Sequence, residues 1–145
     1  MTYRAAFALI FVALIAGPAV ADDETAGPKP DRATLSVARH LDVLSIPSSI
    51  YPRRRKGANT LADYGFVDFK AVDGGVQSTL QDKSWLFGVK IVADDGGIKI
   101  LCIRDQALNS GTYLSQSAME VKIGSDGLFH GTGRTPINAQ CPPYQ

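Results

Sequence analysis

The chain has 145 residues, with 15 Lys+Arg against 14 Asp+Glu and 45% hydrophobic residues. That balance excludes a disordered chain, which pairs low hydrophobicity with high net charge. The length suits one domain, and two cysteines are too few for a disulfide-dense miniprotein.

Residues 1–21 carry one cation, Arg4, before an apolar stretch from Ala5 to Val20 that Gly17 and Pro18 interrupt. Ala19, Val20 and Ala21 then supply the small residues of a cleavage site, followed by Asp22, Asp23 and Glu24. This pattern reads as a secretory signal peptide. An uncleaved anchor would need about 20 apolar residues. The reading predicts a periplasmic or secreted protein with no integral membrane segment once the signal is removed. In an oxidising compartment, Cys102 and Cys141 read as one disulfide.

Residues 22–30 are polar and hold Pro28, Pro30 and Gly27, a flexible leader. Residues 31–145 then form one domain. Asp31 after Pro30 is a helix N-cap. Leu35, Ala38, Leu41 and Leu44 recur at three-residue steps, predicting an N-terminal amphipathic helix over 31–44. Pro47 ends it, and residues 45–59 form a long connector. Structureless loops of that length are usually functional or disordered. Thr60, with Asp63 at the capping-box position, predicts a helical turn at 60–65.

From Phe66 onward the period becomes two. Val67, Phe69 and Ala71 make a first strand, Gly74 and Gly75 a turn, and Val76, Ser78 and Leu80 a second strand. Trp85, Phe87, Val89 and Ile91 line one face of the third. A turn at Asp95 and Gly96 would set Ile91 opposite Ile100 and Val89 opposite Cys102. Cys102 would then share the Trp85 face, which is taken as the core face. Met119, Val121 and Ile123 form a fifth strand, and Leu128, His130 and Thr132 the inward side of a sixth.

The expected fold class is therefore α+β: an amphipathic helix packed on an antiparallel meander of about six strands. A small β-barrel capped by the helix is the alternative.

Common catalytic signatures are absent: no Gly-x-Ser-x-Gly elbow, no Walker loop and no dinucleotide glycine fingerprint. Asp94, Asp95 and Asp126 sit beside glycines without the spaced ligands of a calcium loop. A zinc site from His40, His130, Cys102 and Cys141 would compete with the disulfide, so no metal and no cofactor is expected. His130, ahead of Gly131, Gly133 and Arg134, is a weak candidate general base with Arg134 as an anion holder. No partner nucleophile is identifiable for it.

The most informative chemistry is Tyr51-Pro52-Arg53-Arg54-Arg55-Lys56. Residues 29–56 hold seven basic and two acidic side chains, whereas residues 57–145 hold seven basic and nine acidic. Four consecutive cations beside Tyr51 and Tyr64 predict an anion-attracting surface. With balanced total charge and no recognition motif, nucleic acid is not an expected partner. The leading expectation is an exported, non-catalytic binding or accessory module of the cell envelope. It would engage a protein or an anionic surface through the basic connector. Two alternatives stand: a binder of a small ligand or envelope polymer, with Trp85 and Phe87 lining a helix–sheet pocket, and a small hydrolase or lyase using His130.

Overall fold

The computed structural model describes residues 29–144. The expected signal over 1–21 and most of the leader over 22–30 lie outside these residues.

The first element, α1 (Arg32–Arg39), starts where the cap is expected. Asp31 Oδ2 accepts from Thr34 N at 2.9 Å and from Thr34 Oγ1 at 2.9 Å, satisfying an otherwise orphaned first-turn amide. The helix stops at Arg39 rather than running through Leu44, and it does not lie at the chain's N-terminus. Strand-like pairing takes over beyond it. Phe129 N donates to His40 O at 2.7 Å and Asp42 N to Phe129 O at 2.9 Å, so Leu41 makes a parallel bridge with Phe129. Leu41 and Val43, two residues apart, are both fully buried. Their inward positions satisfy a strand period where the sequence reading followed the helical one.

Six strands follow: β1 (Lys70–Val72), β2 (Gly75–Thr79), β3 (Trp85–Asp95), β4 (Ile98–Ala107), β5 (Leu114–Ile123) and β6 (Phe129–Gly131). They pair antiparallel in chain order, the expected meander. The sheet is open, with β1 and β6 at its two ends, so the barrel alternative is corrected. β1 is shorter than the predicted 66–71. Phe66 is buried, but ahead of the strand, and Val67 is exposed.

The β3–β4 register differs from expectation in one consequential way. Gly96 and Gly97, both at positive φ, form the turn between Asp95 and Ile98, and a bulge between Ile91 and Ala93 shifts the pairing beyond it. Ile91 therefore faces Leu101, Val89 faces Ile103, and Cys102 faces Lys90. A one-residue slip moves a whole set of side chains to the opposite face. Cys102 consequently lies on the outer face, away from Phe87 and Val89. The same parity error applies to β6, where Phe129 enters the core and His130 points to the other side, opposite Lys122.

The inner face of the sheet contributes Val76, Phe87, Val89, Leu101, Ile103, Met119, Val121 and Phe129 to the core. Its cover is α1 together with the segment after it. Val37 and Ala38 come from the helix, and Val43, Ile46, Ile50, Leu61 and Phe66 come from the connector and its flanks. The long connector is thus half of a core layer. Gly131 allows its close approach: a Cβ there would lie 2.5 Å from Ser45 O, and Gly131 N donates to Ser45 Oγ at 2.7 Å.

On the outer face the predicted Cys102–Cys141 disulfide is present. It pins the C-terminal tail over a small cluster of Cys102, Ala118 and Cys141, with Val92 and Ile100 alongside. Among the described residues no helix is long and apolar enough to cross a membrane.

Candidate anion-binding site

The connector rises from buried anchors to an exposed tip. Below the tip, Asp105 on β4 is 2% exposed and on the inner face, opposite Phe87. Its carboxylate accepts from Ser49 N at 2.6 Å, from Ser49 Oγ at 2.9 Å and from Trp85 Nε1. A buried carboxylate is costly unless its oxygens are satisfied. Here three donors from two elements satisfy them, so the charge ties the connector to β3 and β4. Burial first, and then the nearby Asp105 charge, push the Tyr113 phenol above the ordinary tyrosine range.

Past Ser49, Tyr51–Arg53 form a single 3-10 turn with Pro52 in its first positions. All six residues from Tyr51 to Lys56 are exposed. The second foot of the connector is built around Asp63, in the 3-10 turn Ala62–Tyr64. Asp63 Oδ2 accepts from Asn59 N at 2.9 Å, Thr60 N at 2.8 Å and Thr60 Oγ1 at 2.8 Å. The predicted Thr60/Asp63 capping arrangement is therefore formed. Donation from Thr60 N, then Thr60 Oγ1 and Asn59 N, holds the Asp63 carboxyl below its ordinary range, with a smaller contribution from the Arg55 charge. Tyr64 Oη donates to Ala58 O at 3.2 Å and accepts from Arg55 N at 3.1 Å.

Between these feet the three arginines are held by aromatic faces. Arg53 lies 5.6 Å from the Trp85 ring centroid, Arg54 5.2 Å from Tyr51, and Arg55 4.9 Å from Tyr64. These separations are within cation–π range. Trp85 in turn packs against Tyr113, with centroids 5.5 Å apart. Arg55 also donates to Asp63 O. Among the described residues, none of Arg53, Arg54, Arg55 or Lys56 makes an ion pair with a carboxylate.

Of the other expected site residues, Tyr51 and Tyr64 join this cluster and Arg134 does not. Arg134 is mostly exposed, 3.8 Å from Glu120 Oε2, and borders a separate cleft with Ser45 and Met119. His130 sits between two carboxylates. Nδ1 is 3.0 Å from Asp42 Oδ2, and Nε2 is 3.0 Å from both Asp126 oxygens. Hydrogen bonding to Asp126, opposed by burial and reinforced by both acids' charges, raises its pKa above the ordinary histidine range. The same contact, with donation from Leu128 N, lowers that of Asp126. His40 is exposed and contacts its own helix, through Nδ1 and Ser36 O at 2.8 Å. No group of three or more His, Cys, Asp or Glu arranged to hold a metal is found among the described residues.

Ser49, Asp105 and Tyr113 were not singled out from sequence. The signal for Asp105 is the inward alternation of β4, Leu101, Ile103 and Asp105, which the bulge hides by reversing the apparent face of the strand; Ser49 and Tyr113 lie outside β4 and carry no such signal. A scan against protein-family models, a search of curated proteins and a search of solved structures each return no match to this chain.

Proposed function

We propose that this chain is an exported binding or accessory module of the cell envelope, engaging an anionic partner through the tip of the connector at residues 51–56. One observation carries the reading. Four consecutive cations have no carboxylate partner among the described residues, and three are held over aromatic rings. Holding the guanidiniums in place lowers the side-chain entropy lost on binding. Arg, Tyr and Trp are also the residues that dominate binding energy at protein interfaces. The Cys102–Cys141 disulfide supports placement in an oxidising compartment.

The hydrolase or lyase reading has less support. Both His130 nitrogens face carboxylates, and a raised pKa favours the protonated ring, which has no lone pair to accept a proton. The test of the binding reading is retention on heparin and on vesicles of phosphatidylglycerol in phosphatidylcholine, at low and moderate salt. Replacing Arg53, Arg54 and Arg55 with Ala should abolish salt-sensitive binding. Unchanged binding would refute the assignment.

A further inference from the structure

Beneath the connector a pocket of about 260 Å³ is lined by Arg53, Arg55, Tyr64, Phe66, Leu80 and Trp85, with Ser49 and Ile50 closing it. It is not the expected helix–sheet pocket, since Phe87 is fully buried in the core and does not line it. Its floor is apolar: Phe66 and Ile50 are 2% and 5% exposed. No carboxylate lines it. The nearby acid, Asp105, lies behind Ser49 and Trp85 and is occupied by their donors. The hydroxyls are also committed, Ser49 Oγ to Asp105 and Tyr64 Oη to Ala58 O. What the pocket offers is apolar surface and guanidinium N–H groups.

Those N–H groups remain usable. A guanidinium stacked on a ring engages it through its flat face and leaves the in-plane fork free for a carboxylate. Arg53 and Arg55 lie 5.6 and 4.9 Å from the Trp85 and Tyr64 ring centroids, Arg55 gives one nitrogen to Asp63 O, and neither is paired with a carboxylate among the described residues. The volume lies just below the range of about 300–1,000 Å³ typical of drug-sized ligands, so a short acyl chain or a single ring is the largest body it takes.

We propose that this pocket binds a small amphiphilic carboxylate, its apolar body against Phe66, Leu80 and Trp85 and its carboxylate on Arg53 and Arg55. The inference rests on the connector cations being available to anions, as in the proposed function, but it concerns a different ligand in a defined pocket.

Trp85 is the only tryptophan, so its emission reports on this site directly. The experiment titrates the full chain with octanoate, and separately with acetate, which has the charge without the body, and 1-octanol, which has the body without the charge. Octanoate should change Trp85 emission saturably and bind at least about tenfold more tightly than either control. Leu80→Phe, which fills the pocket at a partly buried position, should weaken octanoate by a similar factor and leave retention on anionic vesicles unchanged. Arg53→Ala with Arg55→Ala should weaken both. Should that double variant fail to fold, as read by its thermal midpoint, Leu80→Phe alone decides. The inference is overturned if Trp85 does not respond, if octanol matches octanoate, or if Leu80→Phe binds octanoate as the parent does. Absence of octanoate binding in the parent chain, with its vesicle retention intact, overturns the pocket alone. Octanoate binding in a chain that shows no vesicle or heparin retention overturns the surface reading alone.

Discussion

The two faces of the sheet are covered by different means. The inner face carries a continuous apolar core, met by α1 and by buried side chains spread along residues 41–66. The outer face carries only a small cluster, and the C-terminal tail reaches it through the Cys102–Cys141 bond. Where apolar area is large, packing alone can hold an irregular segment in place. Where it is small, a covalent link does so. The connector belongs to the first kind, which explains how a long segment with little regular structure can present a fixed cationic tip.

Substitutions can break this contrast, and the largest effect is expected on the inner face. Leu61 is fully buried in the connector's second foot, so Leu61→Ala should cost about 2–5 kcal/mol, read as a lower denaturation midpoint. A cost within about 0.5 kcal/mol, ordinary for a surface site, would mean that the connector is not a core layer. Replacing both Cys102 and Cys141 with Ala should cost about 3–4 kcal/mol in the chain-entropy account of a 39-residue separation. It should raise amide exchange in the tail while Val43 and Phe66, whose amides donate to Asn59 O and Leu61 O, stay protected. Equal deprotection of both regions would contradict the division between the faces.

Asp105→Asn should be smaller, about 1.5–3 kcal/mol, because the amide keeps one acceptor oxygen and replaces the other with a donor, leaving at least one donor of Ser49 or Trp85 unpaired without opening a cavity. Its signature should be local: faster exchange around Ser49 and altered Trp85 emission.

The smallest effect concerns His130, which fastens the segment around Asp42 to the end of the sheet. A raised pKa in the fold stabilises fully below the unfolded histidine value, and this contribution is lost as pH rises through the folded one. The lowered pKa of Asp126 acts oppositely, its contribution being lost as pH falls through the folded value. The clamp is therefore strongest in mildly acidic solution. The thermal midpoint of His130→Gln should fall furthest below that of the parent near about pH 5 and approach it near about pH 8. A constant gap across that range would remove the clamp from the account.

Much of the architecture was legible because its signals are local. Asp31 caps α1, Thr60 and Asp63 form their reciprocal turn, and alternation with glycine turns fixes a six-strand meander. The cysteine pair followed from the apparent export signal. Facing was less legible, because it depends on cumulative register. One bulge beside Val92 reversed the side on which Cys102 lies, and Phe129 rather than His130 faces the core. Leu41 with Leu44 fits a helical period and Leu41 with Val43 an extended one, and the choice falls to the second only because Phe129 supplies backbone partners. The run of Arg53, Arg54 and Arg55 was visible in composition. Tyr51 and Tyr64, beside it in the chain, were visible too, whereas Trp85, the face near Arg53, comes from β3 and is tied to the connector through Asp105, whose inward position needs the correct register.

The central claim is that the connector's buried anchors hold a cationic tip ready for an anionic partner. Heparin affinity across a salt series, compared among the parent chain, Asp105→Asn and the Arg53, Arg54 and Arg55 triple-alanine variant, tests it most directly. The account predicts loss of the salt-sensitive binding in the triple variant and an intermediate weakening in Asp105→Asn, which keeps every connector cation but loosens their support. Retained binding in the triple variant, or parent-like affinity in Asp105→Asn, would contradict it.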